Sequence, residues 1–473
     1  ISFLKYIINS INTIVIYFET FQGKSMINKI CGLKKNKINK LAIKTKSSQR
    51  IPNILFPDKL VEGLCECSVL TEFSLQNICA YFFEKHDIKI SKQGLAKRIN
   101  KHGTIELLKA IVLAIFTKSI NYETNDFKFL RNFCYRVIIQ DSTILYLPKR
   151  LYELFSGSKK GSRTYANARI QFSYDILNKN FISFTIDHFS KNDLASAPEI
   201  EVIQGDLWLR DRGYFNLDAC YKIQDDCGDF IMRYKAYTNL YYLDGRPFDI
   251  VKELKNKKSI NIEVLVGDSK IPMNLVVKKV NKQIADERRR KANAKYRYNS
   301  KRKKKGKGKN KNIKCMTKEY SFLCGYTIFL TSFNLKLSFE EIYALYALRW
   351  RIETIFKAWK SNLNFANIHN VSYYQLYILI YCRFIMNQLI FTKFYKDFLE
   401  RVLKKHDKII SIMALTKRLM LRLEHYLLAL INDETEYLIE TFARYCTYEK
   451  RNRKNYYEME QSIFENLNEF YEN

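Results

Sequence analysis

The stretch YALRWRIETIFKAWK, residues 346–360, contains neither glycine nor proline. Ser338, followed by the acidic residues Glu340 and Glu341, provides a helix start upstream, so we predict one helix from Ser338 to about Leu363. At about 100° per residue, four of its polar side chains fall within roughly 60° of one another: Tyr346, Arg349, Glu353 and Lys360. The apolar residues lie on another side and should face a core. An Arg and a Glu four residues apart are most often a solvated salt bridge, so this pair alone does not indicate a site.

The composition predicts a polyanionic partner. The chain has 473 residues, with 80 Lys and Arg against 48 Asp and Glu, which gives a formal net charge of +32. This length is ample for a large core and suggests about three domains, and the positive charge favours nucleic acid. The chain is also rich in Lys, Asn, Ile, Tyr and Phe, as AT-rich genes encode, so the position of the charge is more informative than its total.

The cysteines and histidines show no metal-binding spacing. The 11 cysteines include no C-x-x-C motif, and the six histidines are scattered along the chain. We therefore predict reduced, mostly buried cysteines in a cytosolic protein, and no zinc site.

The N-terminal residues do not have the pattern of a membrane anchor. Residues 1–20 are apolar but interrupted, and the unbroken run 13–18 is far shorter than the roughly 20 residues of a membrane span. No small-residue cleavage site follows, so a signal peptide is not expected. Met26 offers an ordinary start, and residues 1–25 are interpreted as upstream read-through or a dispensable extension. Residues 1–50 are predicted to be a partly disordered extension, in which Lys34–Arg50 is a basic linker or a DNA-contacting arm.

Residues 51–130 are predicted to form an all-helical DNA-binding domain. Two short helices are indicated within Phe73–Asn100, the second capped by Ser91. The second helix and the residue after it carry candidate DNA contacts on the outside: Lys92, Gln93, Lys97, Arg98 and Lys101. Two such helices are typical of a helix-turn-helix. An ordinary helical hairpin fits equally well, because Gly94 lies inside the would-be recognition helix.

From about residue 131 the periodicity becomes that of strands. The expected strands are Tyr135–Gln140, Ala168–Tyr174, Phe181–Ile186, Asp206–Leu209 and Gly228–Tyr234, with a basic turn at 157–163 and a helix at Asp193–Gln204. Together with a further helix before the last strand, this is the order of a ribonuclease H-like sheet, in which the first and fourth strands lie side by side. Asp141 follows the first of these strands and Asp211 the fourth.

Asp141 and Asp211 each have an ordinary explanation. Asp141 precedes Ser142 and Thr143 and could cap a turn, and Asp211 lies between two arginines and could form an ion pair. Their position at neighbouring strand ends, with Glu353 arriving on a later helix, instead predicts three converging carboxylates. Such a cluster needs cations to neutralise it, and oxygen ligands without His or Cys suit Mg²⁺ or Mn²⁺.

An insertion is predicted over residues 235–334, with strands that are expected to be antiparallel: Ser259–Val266, Met273–Val280 and Glu319–Ser332. Its basic segment, residues 278–314, contains 18 Lys and Arg and two acidic residues. We expect Lys282–Tyr298 to be helical and Lys301–Lys311 to be mobile until it meets phosphates. A nuclear localisation signal is the usual alternative for such a run. Residues 369–473 should form a helical C-terminal region without a chemical motif.

Three motifs in order resemble those of a known enzyme family. Asp141-Ser-Thr, Asp211-Arg-Gly-Tyr-Phe and the pattern Y-x2-R-x3-E-x6-K, from Tyr346 to Lys360, are similar to the DDE transposases of bacterial insertion sequences, specifically the insertion-sequence-four group. The last pattern is the signature of that group and is matched without a gap. The resemblance covers about Leu64–Ile368, and the β-rich insertion before Glu353 also fits the group.

The resemblance implies an α/β fold and a metal-dependent site. The ribonuclease H-like core would comprise residues 131–234 and 335–368, a mixed sheet flanked by helices. Its catalytic and metal-binding triad would be Asp141, Asp211 and Glu353, holding two Mg²⁺ ions, with Mn²⁺ as a substitute. DNA phosphates would be bound by Tyr346, Arg349 and Lys360, and further by Arg212 and Arg233. Arg288, Arg289 and Arg290 of the basic segment are additional candidate DNA contacts.

The resemblance also implies the partners and the reaction. We expect a transposase that binds terminal inverted repeats and performs cut-and-paste strand cleavage and strand transfer on double-stranded DNA, both transposon ends and target. Two ends require two protomers, so we expect a homodimer in the DNA complex, in the bacterial cytoplasm at the nucleoid, with no membrane partner. Two alternatives remain open: a ribonuclease H-like nuclease or resolvase that cuts without joining, and an inactive DNA-binding remnant of a transposase.

Overall fold

The computed structural model describes residues 33–70, 72–119, 134–160, 163–199, 201–304 and 316–448. The predictions for residues 1–25 and Met26, and most of the one for Lys301–Lys311, lie outside these ranges. In the part of the chain that is described, no helix is both long enough and apolar enough to cross a membrane.

The described residues before the first strand form five helices: α1 (Lys35–Lys44), α2 (Pro57–Leu70), α3 (Leu75–His86), α4 (Lys92–Ile99) and α5 (His102–Ser119). The Ser91 hydroxyl accepts a hydrogen bond from the Gly94 amide and caps α4, as predicted. The interpretation of Lys34–Arg50 as a linker or arm is wrong. This run contains α1, because Ile38 and Ala42 lie one helical turn apart and are fully buried in the core.

One mixed sheet of ten strands forms the centre of the molecule: β1 (Arg136–Leu147), β2 (Ser156–Lys160), β3 (Arg163–Asp175), β4 (Asn180–His188), β5 (Asp206–Arg210), β6 (Asp229–Arg233), β7 (Leu240–Tyr241), β8 (Ser259–Val266), β9 (Ile271–Lys279) and β10 (Tyr326–Ser332). The strand order is β2-β3-β1-β5-β6-β10-β9-β8-β7, and β4 also pairs with β3. β1 and β5 are parallel neighbours, which confirms the predicted adjacency. A mixed sheet flanked by helices is compatible with a ribonuclease H-like core.

Three local predictions in this region are wrong. β1 does not end before Asp141, because β3 continues to pair with it as far as Leu147. The expected basic turn begins as a strand, since β2 forms a hairpin with β3. Asp193–Gln204 is not a helix, because Pro198 lacks an amide hydrogen and restricts the residue before it. A turn forms there instead, in which the Asn192 side chain accepts a 2.7 Å hydrogen bond from the Ala195 amide.

The insertion extends the same sheet. β10 pairs antiparallel with β6 of the preceding part of the sheet. β9 pairs with β10 and β8 with β9, both antiparallel as expected for the insertion strands. Helix α6 (Leu217–Asp225) precedes the insertion, and the described part of the insertion contains α7 (Ile250–Leu254), α8 (Lys282–Lys304) and α9 (Lys318–Leu323). The segment beginning at Glu319 starts as a helix and not as a strand, since the Thr317 hydroxyl caps α9. α8 continues to Lys304, so residues 301–304 are helical rather than irregular. The division of the chain into domains stays a prediction.

The helix predicted from Ser338 to Leu363 is two helices, α10 (Phe339–Ala347) and α11 (Trp350–Asn362). Between them the amides of Leu348 and Arg349 bond to carbonyls three residues back, at 3.1 and 3.2 Å, as in a 3₁₀ turn. Both residues keep right-handed helical angles, so the side chains before and after the break still point to a common side.

The C-terminal region is helical, as expected. Its described part, up to residue 448, consists of α12 (Tyr373–Ile390), a π-helical turn (Phe391–Lys396), α13 (Asp397–His406), α14 (Ile412–Leu421), α15 (Leu423–Ile431) and α16 (Thr435–Tyr445).

Aromatic packing fixes α11 on the sheet. The Trp359 ring of α11 lies 5.1 Å from the Phe172 ring of β3, measured between centroids, and Phe356 lies 5.0 Å from the same ring. Trp359 is 1% exposed, whereas Trp350 on the same helix is 58% exposed. Packing of the apolar side of α11 against the sheet therefore fixes the position of its polar side relative to β1 and β5.

We expect Trp359→Ala to destabilise the protein by about 3–5 kcal/mol, because it removes a fully buried aromatic side chain and leaves a cavity. The measurement is urea-induced unfolding of the purified chain. Trp350→Ala is the matched control and should change stability by less than about 0.5 kcal/mol, since its side chain faces solvent. Equal losses for the two variants would contradict this packing.

Candidate active site

The pairing of β1 with β5 brings Asp141 and Asp211 together. The parallel ladder ends at the pair Gln140 and Arg210, and the next residue on each strand is an aspartate. Side chains alternate along a strand, so Asp141 lies on the same face as the buried Ile139, which is the face covered by α11. Two carboxylates therefore lie side by side where the two strands separate.

The break between α10 and α11 places three side chains over this edge. The Tyr346 hydroxyl donates to Asp211 Oδ1 at 3.4 Å. The Arg349 guanidinium donates to Asp141 Oδ2 at 3.4 Å and to Glu353 Oε1 at 3.1 Å. All three predicted triad carboxylates thus accept hydrogen bonds from Tyr346 or Arg349, two of the three predicted phosphate-binding residues of the signature.

The electrostatics are those of an acidic cluster around one cation. Burial, with smaller contributions from the neighbouring Glu353 and Asp211, raises the pKa of Asp141 to about 6 against the opposing effect of Arg349. Burial acts to lower the pKa of Arg349, but Tyr346 and the three carboxylates outweigh it and raise that pKa. Burial also raises the pKa of Tyr346 to about 12, so its hydroxyl remains a hydrogen-bond donor at neutral pH.

The donor set suits a hard divalent cation, since it consists of carboxylate oxygens without His or Cys. Among the described residues, no three Asp, Glu, His or Cys side chains are gathered closely enough to hold a metal ion. The Arg349 guanidinium bonds to Asp141 and Glu353 and so links two of the three candidate ligands. Metal binding between these carboxylates therefore requires the Arg349 side chain to move.

Lys360 is positioned differently from the rest of the signature. Its Nζ donates to the main-chain oxygen of Ile144 at 3.0 Å, three residues beyond Asp141 on β1. The side chain is partly buried, and burial lowers its pKa. Lys360 ties α11 to β1, and its role toward a phosphate stays a prediction.

A basic cavity of about 320 Å³ lies beside Asp211. Its cationic lining is Arg212, Arg233, Arg288, Lys291 and Lys295, and none of the described residues that line it is acidic. Burial, together with the nearby cations Arg288 and Arg212, lowers the pKa of Arg233 to about 10. Two predicted phosphate contacts, Arg212 and Arg233, thus join three residues of the basic segment in a single anion-attracting concavity.

The other candidate DNA contacts differ in how exposed their side chains are. Arg289 donates to the Ser321 carbonyl at 3.0 Å and pairs with Asp286, whereas Arg290 is exposed. On α4 and just after it, four predicted contacts are exposed: Lys92, Gln93, Lys97 and Lys101. Arg98 is partly buried and donates to the Leu55 carbonyl at 3.2 Å, so the expectation that it points outward is wrong. It is held back by this contact with the chain before α2.

Sequence reasoning missed a polar group on the opposite face of the sheet. Its members are Ser142, Arg169, Gln171, Asp193 and Tyr214, which are joined by hydrogen bonds. The sequence carries no signal for this group, because Arg169, Gln171 and Ser173 alternate along β3 with apolar residues, which is the pattern of a solvent-facing strand. All three are instead buried.

Comparison with known proteins decides the family. The model of the family described as "Transposase DDE domain" matches residues 132–386, which is more than half of the chain and includes Asp141, Asp211 and Glu353. The chain belongs to the DDE transposase family. Members of this family are metal-dependent polynucleotidyl transferases, so membership implies DNA as the substrate and a divalent metal ion as the cofactor.

Curated relatives agree with this transposase assignment. The chain is 25% identical over 362 residues to the transposase for insertion sequence element IS1151 of Clostridium perfringens, covering 74% of this chain and 76% of the relative. It is 26% identical over 428 residues to the transposase for IS231D of Bacillus thuringiensis subsp. finitimus, covering 84% and 85%. The transposase for IS231C of Bacillus thuringiensis subsp. berliner is 24% identical over 424 residues, covering 84% and 85%. The predicted resemblance to insertion-sequence transposases is confirmed.

We expect Arg349→Ala to lower the thermal stability of the transposase in metal-free buffer at neutral pH, by about 1–3 kcal/mol, because Asp141 and Glu353 lose the cation that bonds to both. Added Mg²⁺ should restore part of this loss. Thermal unfolding with and without Mg²⁺ measures both effects. Arg246→Ala, at an exposed arginine paired with Asp244, is the control. Unchanged stability of Arg349→Ala in both buffers would contradict a neutralising role for Arg349.

Proposed function

We propose that this transposase binds the terminal inverted repeats of its insertion sequence and catalyses Mg²⁺-dependent strand cleavage and strand transfer. One observation carries the proposal: Asp141 and Asp211 follow the last residue pair of adjacent parallel strands, and Arg349 bonds to both Asp141 and Glu353 above them. This arrangement supplies three carboxylates and a phosphate-binding cation within one partly buried site.

Asp141, Asp211 and Glu353 are the residues that would hold the metal, as two Mg²⁺ ions with Mn²⁺ as a substitute. When bound, the metal would activate the attacking hydroxyl and stabilise the departing oxygen of the phosphodiester. The packing of α11 fixes the position of Glu353 relative to the two aspartates. The chain thus contributes ligands from two rigid strands and one rigid helix, as a preorganised site requires.

Arg349 and Tyr346 are the residues that would bind the scissile phosphate. Both side chains donate hydrogen bonds to carboxylates in the free protein. Once the carboxylates bind cations, the same donors are released, and the planar guanidinium can form two parallel hydrogen bonds to a phosphate. In this proposal, metal binding and substrate binding support each other at Arg349.

The basic cavity and the exposed lysines of α4 extend the DNA-binding surface beyond the carboxylates. The cavity offers five cations beside Asp211, and the solvent-facing side of α8 adds Arg290. Such contacts bind the phosphate backbone irrespective of sequence. We assign recognition of the terminal repeats to α3 and α4. These two helices form either a helix-turn-helix or a simple helical hairpin.

The proposed reaction joins two transposon ends to one target, so we propose a homodimer in the DNA complex. The proposed location is the bacterial cytoplasm, at the nucleoid, where the DNA substrate is found.

We expect Glu353→Gln to reduce metal-dependent cleavage of end-containing DNA by more than about 100-fold, since loss of a direct ligand should exceed the 10–100-fold effect of an outer-shell change. Binding of the same DNA should remain. Glu340→Gln is the control, because Glu340 is an exposed residue of α10 paired with Lys278. Cleavage by Glu353→Gln at the wild-type rate would refute the catalytic assignment.

A reaction of pre-cleaved ends with a target plasmid separates a transposase, which joins them, from a nuclease, which does not.

We expect Arg233→Ala and Lys295→Ala each to weaken end binding several-fold and to reduce the slope of log affinity against log salt by about one, because each removes a phosphate contact. Fluorescence anisotropy with labelled end DNA at several salt concentrations measures this slope. Arg246→Ala, whose charge is already paired, should leave the slope unchanged. A wild-type slope for both cavity variants would show that the cavity does not bind DNA.

A further inference from the structure

The segments that follow Asp141 and Asp211 both contribute to one hydrogen-bonded group on the face of the sheet opposite α11. Alternation along β1 puts Ser142 on this opposite face, where it lies directly across from Gln171 of β3. The Ser142 hydroxyl donates to Asp193 Oδ1 at 2.5 Å, and the Ser142 amide donates to Asp141 Oδ1 at 2.8 Å. One residue thus contacts both the proposed metal ligand and Asp193.

Asp193 is the centre of this group. Its carboxylate also pairs with Arg169, whose guanidinium donates to the Ser142 hydroxyl at 3.1 Å. Its main-chain oxygen accepts a 2.8 Å hydrogen bond from Gln171 Nε2. Asp193 therefore fixes the turn that replaces the expected helix, and it does so against two adjacent strands.

The group reaches the segment after Asp211 through Tyr214. The buried Tyr214 hydroxyl donates to Gln171 Oε1 at 2.6 Å. A β-carbon at Gly213 would lie 3.5 Å from Asp193 Oδ2, so the turn after Asp211 packs directly against the Asp193 carboxylate. A continuous chain of contacts therefore connects the residue after Asp141 with the turn after Asp211.

We infer that Asp193 is a positioning residue that sets the separation of Asp141 and Asp211 from behind the sheet, and thereby the affinity of the site for its divalent metal. The inference rests on the proposed role of these two aspartates as metal ligands. β5 ends at Arg210, so its backbone pairing with β1 does not extend to the two aspartates and does not by itself fix the distance between them. The hydrogen-bonded group supplies that constraint. Asp193 itself lies on the opposite face from Glu353 and acts through Ser142 and Tyr214.

Asp193→Asn tests the inference, because it preserves the size of the side chain but removes the anionic acceptor shared by Ser142 and Arg169. We expect the Mg²⁺ concentration for half-maximal cleavage to rise about tenfold, as for other residues that orient metal ligands. End-DNA binding should be unchanged, and saturating Mn²⁺ should restore most of the cleavage. Mn²⁺ binding to the full chain without DNA, followed by electron paramagnetic resonance, should weaken by a similar factor.

Two further variants keep the test decisive. Tyr214→Phe removes only the hydrogen bond to Gln171 and should weaken Mn²⁺ binding about threefold, even if Asp193→Asn does not fold. Asp187→Asn is the matched control and should behave as wild type, since Asp187 of β4 is paired with Lys191, which follows that strand. Wild-type Mn²⁺ affinity in both Asp193→Asn and Tyr214→Phe would overturn the inference. Wild-type Mn²⁺ affinity in Asp141→Asn would instead overturn the proposed metal site itself.

Discussion

The parallel pairing of β1 with β5 is the constraint on which the rest of the site depends. It ends at Gln140 and Arg210, and the strands separate at the two aspartates. Paired carboxylates in a partly buried setting repel each other. A cation on the α11 face of the sheet reduces this repulsion, and a hydrogen-bonded group packs on the opposite face. Arg349 provides the cation, and the group around Asp193 holds the strand ends. The site is therefore stable only as a unit of sheet, helix and turn.

The break between α10 and α11 serves the same geometry. A regular helix would keep every amide bonded four residues back, whereas the turn at Leu348 and Arg349 shortens that spacing. Tyr346 on one side reaches Asp211, and Glu353 on the other reaches Arg349. Trp359 and Phe356 anchor the second helix in the aromatic core against β3. Chemistry at the polar side of α11 thus depends on packing at its apolar side.

The sequence predicted the parts of this site that are local and periodic. The helical repeat placed Tyr346, Arg349 and Glu353 on one side, and the strand order made the first and fourth strands neighbours. Predictions from the sequence were wrong where tertiary contacts override the local pattern. Asp141 lies inside β1 because β3 continues to pair beyond it, and the turn at Asp193 depends on acceptors and donors from β3. Buried polar residues on β3 follow the same alternation as a solvent-facing strand, so their burial could not be read from the sequence. The basic cavity joins residues far apart in the chain and was likewise not predictable as a unit.

We propose that Asp141, Asp211 and Glu353 form one divalent-metal site from which Arg349 withdraws to bind phosphate. The decisive measurement is a crystal structure of the full chain with a pre-cleaved transposon end and Mn²⁺, with anomalous data for manganese. We expect anomalous density between the three carboxylates, with the Arg349 guanidinium bound to the phosphate at the cleaved end. Manganese bound elsewhere, with Arg349 still bonded to Asp141 and Glu353, would contradict it.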